Sequence, residues 1–200
     1  MIQVLDDVLP KNLADLIENT TTSPNFPWYL LRDINYESLN DEKFTRAYTD
    51  DFIVNTIQLG HGVYAENDDT IQSTFFDVSK QVVDMVVSKL NMNCHLLRIK
   101  YNMLFNHTNN VGGKYNTPHI DNELPNSYSM IYYVNDSDGD TIIFDEIWDK
   151  NKRPENLKIL QRITPKKNRA VVFPGNIFHT SSNPINNEKR IIMNVNFINE

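Results

Sequence analysis

Two hundred residues, 40% hydrophobic and 22% charged, suffice for one globular domain with a sizeable core and exclude a fibrous or disordered composition. A net charge of −7 argues against general affinity for nucleic acid or anionic membranes, and a single cysteine, Cys94, excludes an internal disulfide framework. The N-terminus has no basic region followed by an apolar one, and no apolar run approaches the ~18 residues of a membrane span, so the expectation is a soluble, cytoplasmic protein.

Ile2 to Leu5 reads as a short strand, and Leu9-Pro10-Lys11 opens a helix to about Asn19 with Leu13, Leu16 and Ile17 on one face. Phe26-Pro27-Trp28-Tyr29-Leu30 suits a pocket wall or a segment packed beneath a sheet, and the polar stretch Asp33 to Asp51 reads as a loop able to act as a lid. Ile71, Phe75, Val78, Val82, Val86 and Leu90 recur at spacings of three and four, which predicts a helix over 70–90 capped by Asp68 or Asp69. After Asn91 the period becomes that of strands. His95 to Leu104 is a strand, 106–113 an Asn/Gly-rich loop, and the segment carrying His119 and Asp121 a second strand. Ser127 to Asn135 and Thr141 to Asp145 flank the turn Asp136-Ser137-Asp138-Gly139-Asp140 and read as a hairpin. Leu157 to Ile163, Arg169 to Phe173, Ile177 to Ser181 and Lys189 to Ile198 follow. The sum predicts a mainly β double sheet of jelly-roll type with N-terminal helices packed on one side, in a single domain over 1–200. Its division is a helical lead-in over 1–92 and a β core over 93–200.

Between Lys150 and Arg169 the basic residues cluster (Lys150, Lys152, Arg153, Lys158, Arg162, Lys166, Lys167, Arg169) against one acid, Glu155. A positive rim for an acidic macromolecule is one reading, and an edge strand protected by cations is the favoured one.

His119 and Asp121 are one residue apart, so on an extended segment both side chains leave the same face. A third imidazole is available at His179, and Arg190 heads the last strand. Two histidines, one carboxylate and a downstream arginine match the facial triad of non-haem Fe(II) oxygenases with an anchor for an anionic cosubstrate. In the last strand Ile191, Met193, Val195 and Phe197 build core, while Arg190, Asn194 and Asn196 share the other face with Ile192. A buried guanidinium needs an anionic partner, and a dicarboxylate such as 2-oxoglutarate is the simplest. The same ligands on zinc would support hydrolysis. Arg190 and the lack of a separate general base weigh against that.

These residues carry a resemblance. His119-Ile-Asp121, Ile131-Tyr-Tyr133-Val-Asn, Asp138-Gly-Asp-Thr141-Ile-Ile-Phe144, Phe173-Pro-Gly, His179 and Arg190 resemble the Fe(II)/2-oxoglutarate oxygenases of the prolyl-4-hydroxylase type, short bacterial and bacteriophage members in particular. The likeness runs from about Leu96 to the C-terminus. It implies a double-stranded β-helix of the cupin-like jelly-roll class, with His119, Asp121 and His179 as catalytic iron ligands. It places Arg190 and Tyr133 on the distal carboxylate of 2-oxoglutarate, with Tyr101, Thr141 and Asn194 as further cosubstrate-binding positions. The implied reaction consumes O2 and 2-oxoglutarate, releases succinate and CO2, and hydroxylates a C–H bond of a protein or peptide. A free small molecule or nucleobase as substrate, and a non-catalytic metal-holding jelly roll, are the alternatives. Oligomeric state is open.

Overall fold

The computed structural model describes residues 1–31, 56–66, 70–106, 114–152, 154 and 156–200. The expected lid over 33–51, most of the 106–113 loop and the expected caps Asp68 and Asp69 lie outside the described residues. In chain order the elements are β1 (Gln3–Leu5), α1 (Lys11–Thr21), β2 (Tyr29–Leu31), β3 (Gln58–Ala65), β4 (Thr70–Ile71), α2 (Phe76–Lys89), β5 (Cys94–Phe105) and β6 (Ser127–Tyr133). They continue with β7 (Thr141–Ile147), β8 (Ile159–Ile163), β9 (Ala170–Pro174), β10 (Ile177–Ser181) and β11 (Lys189–Asn199).

Strand pairing is antiparallel throughout the described residues. One large sheet runs β1-β9-β6-β11-β5-β3-β2, with β4 beside β3, and a small sheet runs β10-β7-β8. Period-two alternation decides what each face of the large sheet does. From β6 and β11, Met130, Tyr132, Ile191, Met193, Val195 and Phe197 face outward and bury against Ile17 of α1 and Val82, Val83 and Val86 of α2. Ile131, Tyr133 and Ile192 face inward and meet Ile143 and Ile163 of the small sheet and Val171 and Phe173 of β9. A third cluster, Tyr115, Ile120, Ile142, Phe144 and Phe178, covers the far side of the small sheet. The architecture is the expected double-stranded β-helix with helices on one sheet.

Four local expectations are corrected. The helix over 70–90 begins only at Phe76, because Thr70–Ile71 pair with Tyr64–Ala65 and the Gln72 N–H donates to the Val63 carbonyl. Two β-branched residues at an open sheet edge do better as a strand than as a helical first turn. His119 makes an isolated bridge to His179 instead of belonging to a strand. The segments flanking Asp136–Asp140 are not a hairpin, since β6 pairs with β9 and β11 while β7 pairs with β8 and β10. That turn passes the chain from one sheet to the other. On α1, Ala14, Ile17 and Thr21 are buried while Leu16 is exposed. The first 92 residues also contribute four strands to the large sheet, more than a helical lead-in.

Much of the basic run is spent on ion pairs. Lys166 and Arg169 bind Asp6, and Lys167 binds Asp15 and Glu18 of α1, fixing that helix to the barrel. Arg162 and Lys152 reach Asp140 and Glu146. No described helix is long and apolar enough to cross a membrane.

Candidate active site

The bridge between His119 and His179 sets the site. Each donates its backbone N–H to the other's carbonyl, at 3.0 and 2.8 Å, so the two imidazoles leave neighbouring backbones with ring centroids 4.6 Å apart. Nδ1 of His119 lies 3.1 Å from the Thr117 carbonyl and Nδ1 of His179 lies 3.0 Å from the Ile177 carbonyl. A carbonyl can only accept, so each Nδ1 carries a proton and Nε2 is the nitrogen left to face the carboxylate and any metal. Both Nε2 atoms aim at Asp121, at 3.9 Å to Oδ1 and 3.5 Å to Oδ2. The three potential ligand atoms all lie within 4.8 Å of one another.

Asp121 is held as carefully as the histidines. Its Oδ2 accepts from Ser129 Oγ (2.7 Å), Asn196 Nδ2 (3.0 Å) and Asn194 Nδ2 (3.2 Å), and Arg98 approaches Oδ1 at 3.6 Å. Burial alone would raise its pKa, yet His179, Arg98 and His119 together hold the carboxyl well below the usual range. The group is an anion at neutral pH and needs a cation among its neighbours.

The second half of the site is Arg190, only 3% exposed. Its Nε donates to the Gly139 carbonyl (2.7 Å) and a terminal nitrogen to Thr141 Oγ1 (2.8 Å). Thr141 Oγ1 also accepts from the Tyr133 hydroxyl at 2.7 Å, and the Tyr133 ring lies 5.8 Å from the guanidinium carbon. Burial pushes the Tyr133 hydroxyl up to about 12, so it remains a donor. Glycine is required at 139, because a Cβ there would come within 2.6 Å of the Ser182 carbonyl oxygen and 3.0 Å of Arg190 Cδ. Asp138 steadies this turn by accepting the backbone N–H groups of Ile185, Asn186 and Asn187.

The expected residues therefore divide. His119, Asp121 and His179 form one group, and Arg190, Tyr133 and Thr141 another; both face the interior, with Ile192 paired to Tyr133 between them. Asn194 sits with the metal group, bridging Asp121 and Arg98. Tyr101 is displaced from the site entirely. It occupies an outward position of β5, buried against Phe75 and Phe26, and its hydroxyl meets Ser79 of α2. The inward residues of β5 are Arg98, Lys100 and Asn102. Ser129, Asn196 and Arg98 as partners of Asp121 were not anticipated, although the parity of β6 and β11 puts Ser129 and Asn196 on the site face.

Residues 103–198 match the sequence model of the 2OG-Fe(II) oxygenase superfamily. That stretch, just under half of the chain, is its 2OG-Fe(II) oxygenase domain. No curated protein matches the sequence. The fold is similar to that of the non-haem α-ketoglutarate-dependent epimerase SnoN of nogalamycin biosynthesis (TM-score 0.65, 8% identity, 99% of this chain and 76% of that one). It is also similar to a Pseudomonas putida prolyl-4-hydroxylase (0.52, 12%, 100% and 92%). A third similar structure is a Trichoplax adhaerens prolyl hydroxylase bound to a peptide fragment of the hypoxia-inducible factor oxygen degradation domain (0.57, 12%, 98% and 83%). The oxygenase is a 2-oxoglutarate-dependent dioxygenase, and its donor set suits the cofactors. Two imidazoles and an ionised carboxylate fit Fe(II), and a buried guanidinium with no carboxylate paired to it among the described residues fits a dianion.

Proposed function

We propose that this oxygenase hydroxylates a C–H bond of a protein or peptide, with His119, Asp121 and His179 holding Fe(II) and Arg190 and Tyr133 receiving the distal carboxylate of 2-oxoglutarate. Bound together, the metal and cosubstrate supply the oxidising power: O2 is reduced, 2-oxoglutarate gives succinate and CO2, and one oxygen atom enters the substrate.

The chain's own residues do the positioning. The Thr117 and Ile177 carbonyls fix the tautomer and aim of the two imidazoles, as outer partners of metal-bound histidines commonly do. Ser129, Asn194 and Asn196 orient the Asp121 carboxylate and stabilise its charge. The planar guanidinium of Arg190, set by Gly139 and Thr141, offers a carboxylate a paired hydrogen-bonding edge. Apolar Ile131, Ile192 and Phe173 line the interior and exclude bulk water, which strengthens these contacts.

The observation that carries this reading is the aim of both Nε2 atoms at one ionised carboxylate, with each Nδ1 proton already committed. The likeness to prolyl hydroxylases, one with a peptide bound, favours a peptide substrate. The higher fold similarity to SnoN favours a small molecule as the second reading. Incubation with Fe(II), 2-oxoglutarate and peptide or small-molecule pools tests both. A 16 Da gain on a peptide, absent with His179→Ala, is the expected result; a gain only on small molecules would refute the peptide assignment.

A further inference from the structure

The inward face of β5 carries two cations that the reaction as read above does not use. Arg98 and Lys100 are alternate residues and so project to the same side of the sheet. Arg98 donates to Asn194 Oδ1 at 3.1 Å and lies 3.6 Å from Asp121 Oδ1, which places the pair beside the metal group. Lys100 is cross-strand neighbour to Asn194 on one side and Gly62 on the other.

The local backbone makes room for this lysine. A Cβ at Gly60 would approach Lys100 Cε to 3.0 Å and Leu31 Cδ1 to 2.7 Å, and one at Gly62 would approach Gln72 Oε1 to 2.5 Å. Gly60 thus lets the Lys100 stem lie close against the sheet, while Gly62 makes room for Gln72. Among the described residues no carboxylate lies within ion-pair distance of Lys100, and burial, followed by Arg98, lowers its ammonium to about 8. Asn102, the next residue on that face, has a buried Oδ1 with no hydrogen-bond partner among the described residues.

Charge bookkeeping turns this into a statement about the substrate. The charges of a divalent ion, the Asp121 carboxylate, a dianionic cosubstrate and Arg190 cancel. Arg98, partly exposed, and Lys100, half-buried, remain: two like charges side by side on one polar face, whose mutual repulsion a further anion would relieve.

We propose that Arg98 and Lys100 receive an anionic group, carboxylate or phosphate, carried by the primary substrate next to the C–H bond that is oxidised. The proposal rests on the oxygenase site described above. Lys100 supplies a point charge and Arg98 a planar edge, while Asn102 accepts an N–H of the same substrate.

The test uses the full chain loaded with Mn(II) and saturating 2-oxoglutarate. N-acetylglutamate, N-acetylglutamine and N-acetylphosphoserine are titrated calorimetrically into the wild type, Lys100→Met and Lys100→Arg, each checked for folding by its melting temperature. One or both anionic probes should bind the wild type at least tenfold more tightly than N-acetylglutamine, and the stronger of the two identifies the group. The preference should vanish in Lys100→Met and return in Lys100→Arg, with 2-oxoglutarate affinity changed less than twofold in either. Equal binding of all three probes, or binding of none, overturns the proposal, as does a preference that survives Lys100→Met. A tenfold loss of 2-oxoglutarate affinity in Lys100→Met would assign the lysine to the cosubstrate instead. Failure of the wild type to take up 2-oxoglutarate during loading would sink the functional reading itself, and the proposal with it.

Discussion

Replacing Arg190 with methionine separates folding from cosubstrate binding. In the free protein the arginine makes two hydrogen bonds, to the Gly139 carbonyl and Thr141 Oγ1, each contributing about 1 kcal/mol net. Arg190→Met loses both but also removes a desolvated charge, and exchanging buried charge for an apolar side chain is often neutral or favourable by about 1–4 kcal/mol. The two effects nearly offset. The melting temperature should therefore stay within about 4 °C of the wild type. Binding of 2-oxoglutarate should suffer far more, because two charge-assisted hydrogen bonds at about 1.5 kcal/mol each amount to about 3 kcal/mol, on the order of a hundredfold in affinity. Calorimetric titration of 2-oxoglutarate into the Mn(II)-loaded proteins, beside thermal melts, measures both quantities. Affinity within about threefold of the wild type would refute the reasoning, and so would a variant that fails to fold.

Other perturbations test neighbouring parts. Ser129→Ala removes the 2.7 Å bond to Asp121 and should weaken metal affinity by roughly 10- to 100-fold without unfolding the protein, read by competition with a chelating dye. Tyr101→Phe loses only the contact with Ser79, so it should cost about 1 kcal/mol in denaturant melts and leave the KM for 2-oxoglutarate unchanged. Asp138→Asn should destabilise by about 1–2 kcal/mol at pH 7, since the carboxylate accepts three backbone N–H groups. Burial works against that carboxylate's charge, but these hydrogen bonds leave its pKa below the ordinary aspartate value. Its contribution is therefore complete above about pH 4 and disappears as the pH falls through the lowered value. The gap between wild type and Asp138→Asn in urea melts should be constant from pH 7 to 5 and shrink below pH 4.

The site was legible where one strand or one short motif carried it. The alternation in Arg190-Ile-Ile-Met-Asn-Val-Asn-Phe assigns one face to the core and the other to polar chemistry, and the structure keeps that division through Phe197. His119 and Asp121 converge with His179 without a strand of their own, because the bridge to His179 sets the two backbones side by side. Tyr101 lies outside the site because strand parity overrides its sequence position: Ile99, Tyr101 and Met103 form one apolar row of β5 and Arg98, Lys100 and Asn102 the polar one. The Asp136–Asp140 turn misled for another reason. Its Asp-Gly pair has the composition of a hairpin, but the crossing between sheets is fixed by long-range contacts to Ser182, Pro184 and Arg190 that no local window contains. The Thr70–Ile71 strand was equally hidden, since only its pairing with Tyr64–Ala65 distinguishes it from a helical first turn.

The most direct test is an anomalous-difference map from crystals grown with Mn(II) and 2-oxoglutarate. The account predicts one manganese peak about 2.1 Å from Nε2 of His119, Nε2 of His179 and a carboxylate oxygen of Asp121, with the far carboxylate of the keto acid against Arg190 and Tyr133. A peak held by other side chains, or a keto acid turned away from the guanidinium, would contradict it.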